Sequence, residues 1–177
     1  MSLLPPDELV PIAPLDAYLF DPREQDWGKL LAQFSPPLPR RGKVQLASYF
    51  GDAFVEDEHG AMWWVNGLEA RVDRIAINRA KAIERLEHEH LVMLKTKLME
   101  QLIKGDKLLP KGMLYGLKRS RAAGGKYHPD NIGTATIADT FAYLGLMFQA
   151  KQAASAPAEK PTLAEAKPKN TLWGKKK

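Results

Sequence analysis

Residues 118–128 read KRSRAAGGKYH, which puts Lys118, Arg119, Arg121 and Lys126 beside Tyr127 and His128 with no carboxylate among them. Clustered cations of this kind can grip a phosphate or an acidic patch on a partner, because charge-assisted hydrogen bonds to oxyanions are roughly twice as strong as neutral ones. Loops between scaffold elements carry function more often than the scaffold does. The alternative for this stretch is a solvated connection between two strands. A second candidate has the opposite sign. Glu56, Asp57 and Glu58 sit before Gly60 at a turn, and carboxylates there could mimic phosphate toward a basic cleft or simply be hydrated. The adjacent pair Trp63 and Trp64 supplies a third candidate, since buried aromatic anchors dominate many interfaces.

Catalytic and metal chemistry find little support in the sequence. There is no cysteine, so no thiolate nucleophile, disulfide or Cys-based zinc site can form. His88 and His90 lie two apart on a predicted helix, roughly 200° around its axis, so they cannot ligate one metal from one face. Neither G-x-S-x-G nor H-E-x-x-H occurs, and Gly124-Gly125-Lys126 lacks the first glycine and the Ser/Thr of a phosphate loop. No cofactor and no enzymatic activity are expected. His128-Pro129-Asp130 resembles the tripeptide of J-domain co-chaperones. There a helix runs into the tripeptide, whereas here Gly124 and Gly125 disfavour that helix by about 1 kcal/mol each.

The elements that must hold these residues follow from pattern. Eight of the thirteen prolines fall in residues 1–43, which predicts an arm without long helices. One short helix is expected there, capped by Asp26 and carrying Trp27, Leu30, Leu31 and Phe34 on one stripe. Residues 44–76 predict an antiparallel meander. Its central hairpin joins Ala53–Glu56 to Ala61–Val65 around Gly60, and a tight turn at Asn66-Gly67 leads to a further strand up to Ile75. Period two sends Trp63 and Trp64 to opposite faces. Ile83, Leu86, Leu91, Leu94, Leu98 and Leu102 predict helix over 77–104, either unbroken or kinked near His88-Glu89-His90, with Gly105 as the residue just past its end. Met113–Leu117 and Ile132–Ile137 read as strands flanking the basic loop, and Asp139 opens a closing helix bearing Phe141, Leu144 and Phe148. The fold class is α+β: a mostly antiparallel sheet with a helical segment and a C-terminal helix packed on it.

Charge sharpens the functional reading. The chain carries a net charge of +5, and residues 151–177 hold seven lysines against two glutamates, which leaves residues 1–150 balanced. This tail reads as disordered. Its basicity weakens any argument from overall charge to a nucleic-acid-binding body. No apolar run approaches the ~18 residues of a membrane span. The N-terminus lacks the basic and apolar regions of a secretory signal, so a cytoplasmic location is expected.

The order of pieces in residues 44–150 resembles bacterial immunity proteins of type VI secretion effector pairs. The likeness is to the C-terminal domain that protects against a secreted DNase toxin. It rests on Phe50-Gly51-Asp52-Ala53-Phe54, then Asp57-Glu58-His59-Gly60 and Trp63-Trp64-Val65, then Gly112 to Lys118, Gly124-Gly125-Lys126-Tyr127, Pro129-Asp130-Asn131-Ile132 and Leu144-Gly145. The resemblance implies a non-catalytic protein that binds a cognate toxin in the cytoplasm, with Lys118, Arg119, Arg121, Lys126, Tyr127, His128, Trp63, Trp64, Glu56, Asp57 and Glu58 as candidate contacts. Residues 118–123 depart from the apolar, proline-containing pattern associated with the family. The GAD-like domain often joined to this module has no counterpart in 1–43. A nucleic-acid-associated protein using the 118–128 loop and the lysine-rich tail is the alternative.

Overall fold

The computed structural model describes residues 15–155 and the backbone of the strand Ser2–Leu4. The reading of residues past 155 as a disordered tail lies outside these residues. In chain order the strands are β1 (Ser2–Leu4), β2 (Leu19–Phe20), β3 (Arg41–Ser48), β4 (Ala53–Asp57), β5 (Met62–Asn66), β6 (Arg71–Ala76), β7 (Met113–Leu117) and β8 (Ile132–Thr136). The helices are α1 (Trp27–Leu30), α2 (Arg79–Met93), α3 (Thr96–Lys104) and α4 (Ile137–Ser155). Strands β3 to β6 form an antiparallel meander, and the short β1 and β2 share the outer side of β3. A separate antiparallel ribbon joins β7 to β8. The fold is α+β, as the sequence predicts.

The meander is buried on both faces. On one face Val55, Val65 and Ala53 pack with Trp27, Leu31, Phe34 and Leu38 of the N-terminal arm and with Phe141, Leu144 and Phe148 of α4. On the other, Phe54, Met62 and Trp64 pack with Leu86 and Met93 of α2 and with Leu94, which caps its end. Strand alternation explains the split within β4 and β5. In β3 alternation fails: Val44 belongs to the first cluster and Leu46 to the second. A bulge at Gln45, between the pairs Val44–Val55 and Leu46–Phe54, makes the change of face possible. The described part of the proline-punctuated arm is therefore part of the core, with Trp27, Leu31 and Phe34 sealed from solvent. Its helix is shorter than predicted. Asp26 caps α1 by accepting the Lys29 amide, and a 3-10 turn at Ala32–Phe34 replaces the rest.

The segment 77–104 is two helices. Glu89 leaves helical geometry with φ −107° and ψ 17°, and Lys95 adopts left-handed φ 52° between α2 and α3. This turns Leu91 outward, 59% exposed, although the 3–4 spacing places it on the buried stripe. At the end of α3, Gly105 is the C-cap at φ −92°. Asp106 takes the left-handed position at φ 54°, one residue later than the glycine suggests. The Asp106 amide donates to the Ile103 carbonyl and the Lys107 amide to the Leu102 carbonyl, closing a Schellman motif. Helix α4 starts at Ile137. Thr136 caps it by accepting the Asp139 amide at 3.1 Å and donating to the Asp139 carboxylate at 2.7 Å. It continues to Ser155, so residues 151–155 belong to the helix and not to the tail.

Candidate functional site

The connection from β7 to β8 is a tightly tied loop. Ser120 caps a 3-10 turn at Arg121–Ala123 by accepting the Ala123 amide. Gly124 follows at φ 81°, where other L residues are strained. Gly125 is buried against the start of the loop, and a Cβ there would fall 1.8 Å from the Arg119 carbonyl oxygen. Only glycine permits this approach. Asn131 holds the two limbs together. Its Nδ2 donates to the carbonyls of Arg119 (2.9 Å) and Lys126 (3.0 Å), and its Oδ1 accepts the Arg119 amide (2.9 Å). His128-Pro129-Asp130 forms no co-chaperone helix end. His128 caps the single 3-10 turn Pro129–Asn131, with Nδ1 3.3 Å from the Asp130 carboxylate.

The loop sorts its cations into two kinds. Lys118 Nζ donates to the Asp130 carbonyl at 3.1 Å. The Arg121 guanidinium lies 5.1 Å over the Tyr127 ring and donates to the Gly125 carbonyl. Arg119 and Lys126 are exposed and have no side-chain hydrogen bond or ion pair among the described residues. Tyr127 anchors the loop to the meander by donating to Glu69 at 2.5 Å. Burial pushes its phenol well above the ordinary tyrosine range, and the bond to the Glu69 carboxylate adds to the rise. Tyr127 thus stays neutral and serves as a strut as well as a surface ring.

A groove of about 350 Å³ runs beside the loop, between the β7–β8 ribbon and α4. Leu68, Leu117, Leu144 and Met147 make its apolar walls, with Tyr143 and Lys118 among its other lining residues. On the ribbon Gly116 pairs directly with Gly133, and a Cβ on Gly116 would meet nothing within 4 Å. The groove is therefore open above Gly116, whereas the Lys118 side chain lies over Gly133, its Cγ 3.4 Å from where a Cβ would stand. Neither Tyr143 nor the glycine pair stood out in the sequence, because an exposed helix tyrosine and strand glycines are ordinary features taken singly.

The other predicted contacts stand apart from this site, and two groups of them are occupied structurally. Trp64 is 5% exposed and stacks on Phe54; as a core residue it is not a surface anchor. Trp63 is half-buried against the first cluster and donates its Nε1 to Asp57 at 2.9 Å. Glu56 pairs with Arg79 at 2.5 Å and accepts from Gln45 at 2.7 Å. Asp57 closes the hairpin turn by accepting the amides of His59 and Ala61, both at 2.9 Å. Burial opposes the Asp57 charge, but the hydrogen bonds from Trp63, Ala61 and His59 outweigh it and hold the carboxyl below its ordinary range. Of the acidic trio only Glu58 projects with a single long contact, 3.9 Å from His59. The turn's carboxylates are hairpin chemistry first.

His88 Nδ1 meets the Glu84 carbonyl at 2.6 Å and His90 Nδ1 meets Thr96 Oγ1 at 3.0 Å. Among the described residues no three His, Asp or Glu side chains are placed to hold a metal, and no helix is long and apolar enough to cross a membrane. No protein-family model and no curated protein sequence matches the chain.

Proposed function

We propose that this chain is a non-catalytic immunity protein that binds a secreted toxin, with a DNase as the expected class, in the cytoplasm and blocks its active site or its access to substrate. One observation carries the reading. Arg119 and Lys126 are presented on a loop clamped by Asn131, without an ionic partner among the described residues. The clamp orders the backbone that carries these cations before binding, so only their side chains remain to be ordered on meeting carboxylates, which favours affinity and specificity. The adjoining apolar groove offers the desolvated pocket in which an anchor side chain contributes most. The resemblance of residues 44–150 to type VI immunity domains supplies the partner class.

Co-expression with the product of the adjacent reading frame tests this. Growth inhibited by that product and restored by the chain supports the proposal. Unrelieved inhibition overturns it.

The same two cations would also meet nucleic-acid phosphates, and the exposed Tyr127 ring beside them could stack on a base. DNA affinity that falls steeply with salt and is lost in Arg119→Ala/Lys126→Ala would favour that second reading.

A further inference from the structure

The outer edge of β8 carries no backbone partner among the described residues. The β7–β8 ladder is fixed at its ends by the Lys118 amide on the Asn131 carbonyl (2.8 Å) and the Ile137 amide on the Gly112 carbonyl (3.3 Å). Antiparallel alternation then turns the backbone groups of Ile132, Thr134 and Thr136 away from β7. Ile132 gives its amide to the Pro129 carbonyl. The Ile132 carbonyl, both groups of Thr134 and the Thr136 amide remain. The opposite edge of the ribbon is covered: the Tyr115 amide donates to the Tyr49 carbonyl at 2.8 Å and the Met113 amide to the Pro110 carbonyl at 3.1 Å.

Exposed edges are normally blunted by charge, proline or a bulge. The β8 sequence, IGTAT, has no charge and no proline, its register with β7 is unbroken, and Thr134 and Thr136 are exposed. A strand laid along this edge would satisfy the free groups. Its side chain beside Gly133 would point to the face shared by Gly116, Gly133 and Ala135, which is the groove face. Arg119 and Lys126 lie in the loop that leads into the N-terminal end of β8, so carboxylates suit that end of the added strand.

We infer that β8 is the docking edge for an extended acidic segment of the partner protein, which adds as a further strand and sends one apolar side chain into the groove. This rests on the toxin-binding reading and specifies how the partner is held.

The probe is a capped heptapeptide alternating valine and glutamate, titrated into the full chain and followed by amide NMR shifts, with a valine–lysine peptide as control. Saturable shifts at Gly133 and Thr134 are expected, with the lysine peptide ~tenfold weaker. Thr134→Pro removes an outward amide that the ladder does not use, so the variant should fold and bind ~tenfold more weakly. Thr134→Val should bind like the wild type. Should Thr134→Pro not fold, Gly116→Leu, which fills the groove, takes its place with the same expected loss. No shift at millimolar glutamate peptide, equal binding of the lysine peptide, or undiminished binding by the variants would overturn the inference. So would concentration-dependent shifts at Thr134 with dimerisation of the chain alone, since a second copy would then hold the edge. In co-expression, protection by wild type and Thr134→Pro alike sinks the edge and leaves the toxin-binding reading standing. Absence of protection by wild type sinks that reading itself.

Discussion

Lys95 Nζ lies 3.1 Å from Asp52 Oδ1, and the two side chains are 5% and 0% exposed. Asp52 also accepts from Ser48 Oγ (2.5 Å), Trp64 Nε1 (3.1 Å) and the Gly67 amide (3.0 Å). Lys95 donates further to the Met93 carbonyl at 3.1 Å and sits 5.5 Å from the Trp64 ring centre. The pair ties the β3–β4 turn, β5, the turn at Gly67 and the corner between α2 and α3 to one point. A left-handed lysine costs on the order of 1–3 kcal/mol, and this network offsets it. Lys95→Met strands a buried carboxylate and should lower unfolding free energy by about 3–5 kcal/mol. Adding Asp52→Asn should recover part of that loss, so that the double variant falls short of the sum of the singles in urea titrations. Additive losses would mean that the two groups do not act as a pair.

Asn131 organises the basic loop while the cations attract notice. Asn131→Ala removes three hydrogen bonds, two of them across the loop to Arg119 and one to Lys126. Amide exchange across residues 119–127 should accelerate at least tenfold, while global stability falls by only ~1 kcal/mol because the contacts are exposed. Unchanged exchange would show that Gly125 and Tyr127 hold the loop without it.

What could be read from the sequence depended on how local each signal was. The hairpin around Gly60, the Asp26 cap and the strand–loop–strand around the cations are set by neighbours a few residues apart, and all are found. The Asp52–Lys95 pair spans 43 positions. On a helical wheel Lys95 looks like an ordinary late lysine suited to the dipole, whereas its left-handed backbone marks the corner between α2 and α3. The ties of the acidic turn are hidden from the sequence for a related reason. Asp57 is bound by the tryptophan six residues ahead, and Glu56 by an arginine from α2. Three-dimensional proximity, not composition, decided which charges remain available.

Asp57 predicts a pH dependence. Its folded carboxyl titrates below the ordinary range, so its ionised form stabilises the fold. That contribution is complete above the unfolded aspartate value of about 3.9 and is lost as pH falls through the lower folded value. Asp57→Asn should lower stability at pH 7 and flatten the acid limb of the stability profile. Parallel wild-type and variant profiles between pH 5 and 2 would contradict this.

Filling the groove should separate stability from binding. Gly116→Val adds a β-branched side chain where a Cβ meets nothing within 4 Å. Thermal stability should hold or rise by up to ~1 kcal/mol, while affinity for the partner drops at least tenfold. Full affinity in the variant would remove the groove from the interface.

In the proposed complex the cations of the 118–128 loop meet an acidic surface on the toxin. Calorimetric titration of the adjacent reading frame's product, in catalytically inactive form, tests it most directly against wild type and Arg119→Ala/Lys126→Ala. Saturable one-to-one binding by wild type is expected, with binding weaker by about a hundredfold for the double variant at unchanged melting temperature. Equal affinities for the two proteins, or no binding by wild type, would contradict it.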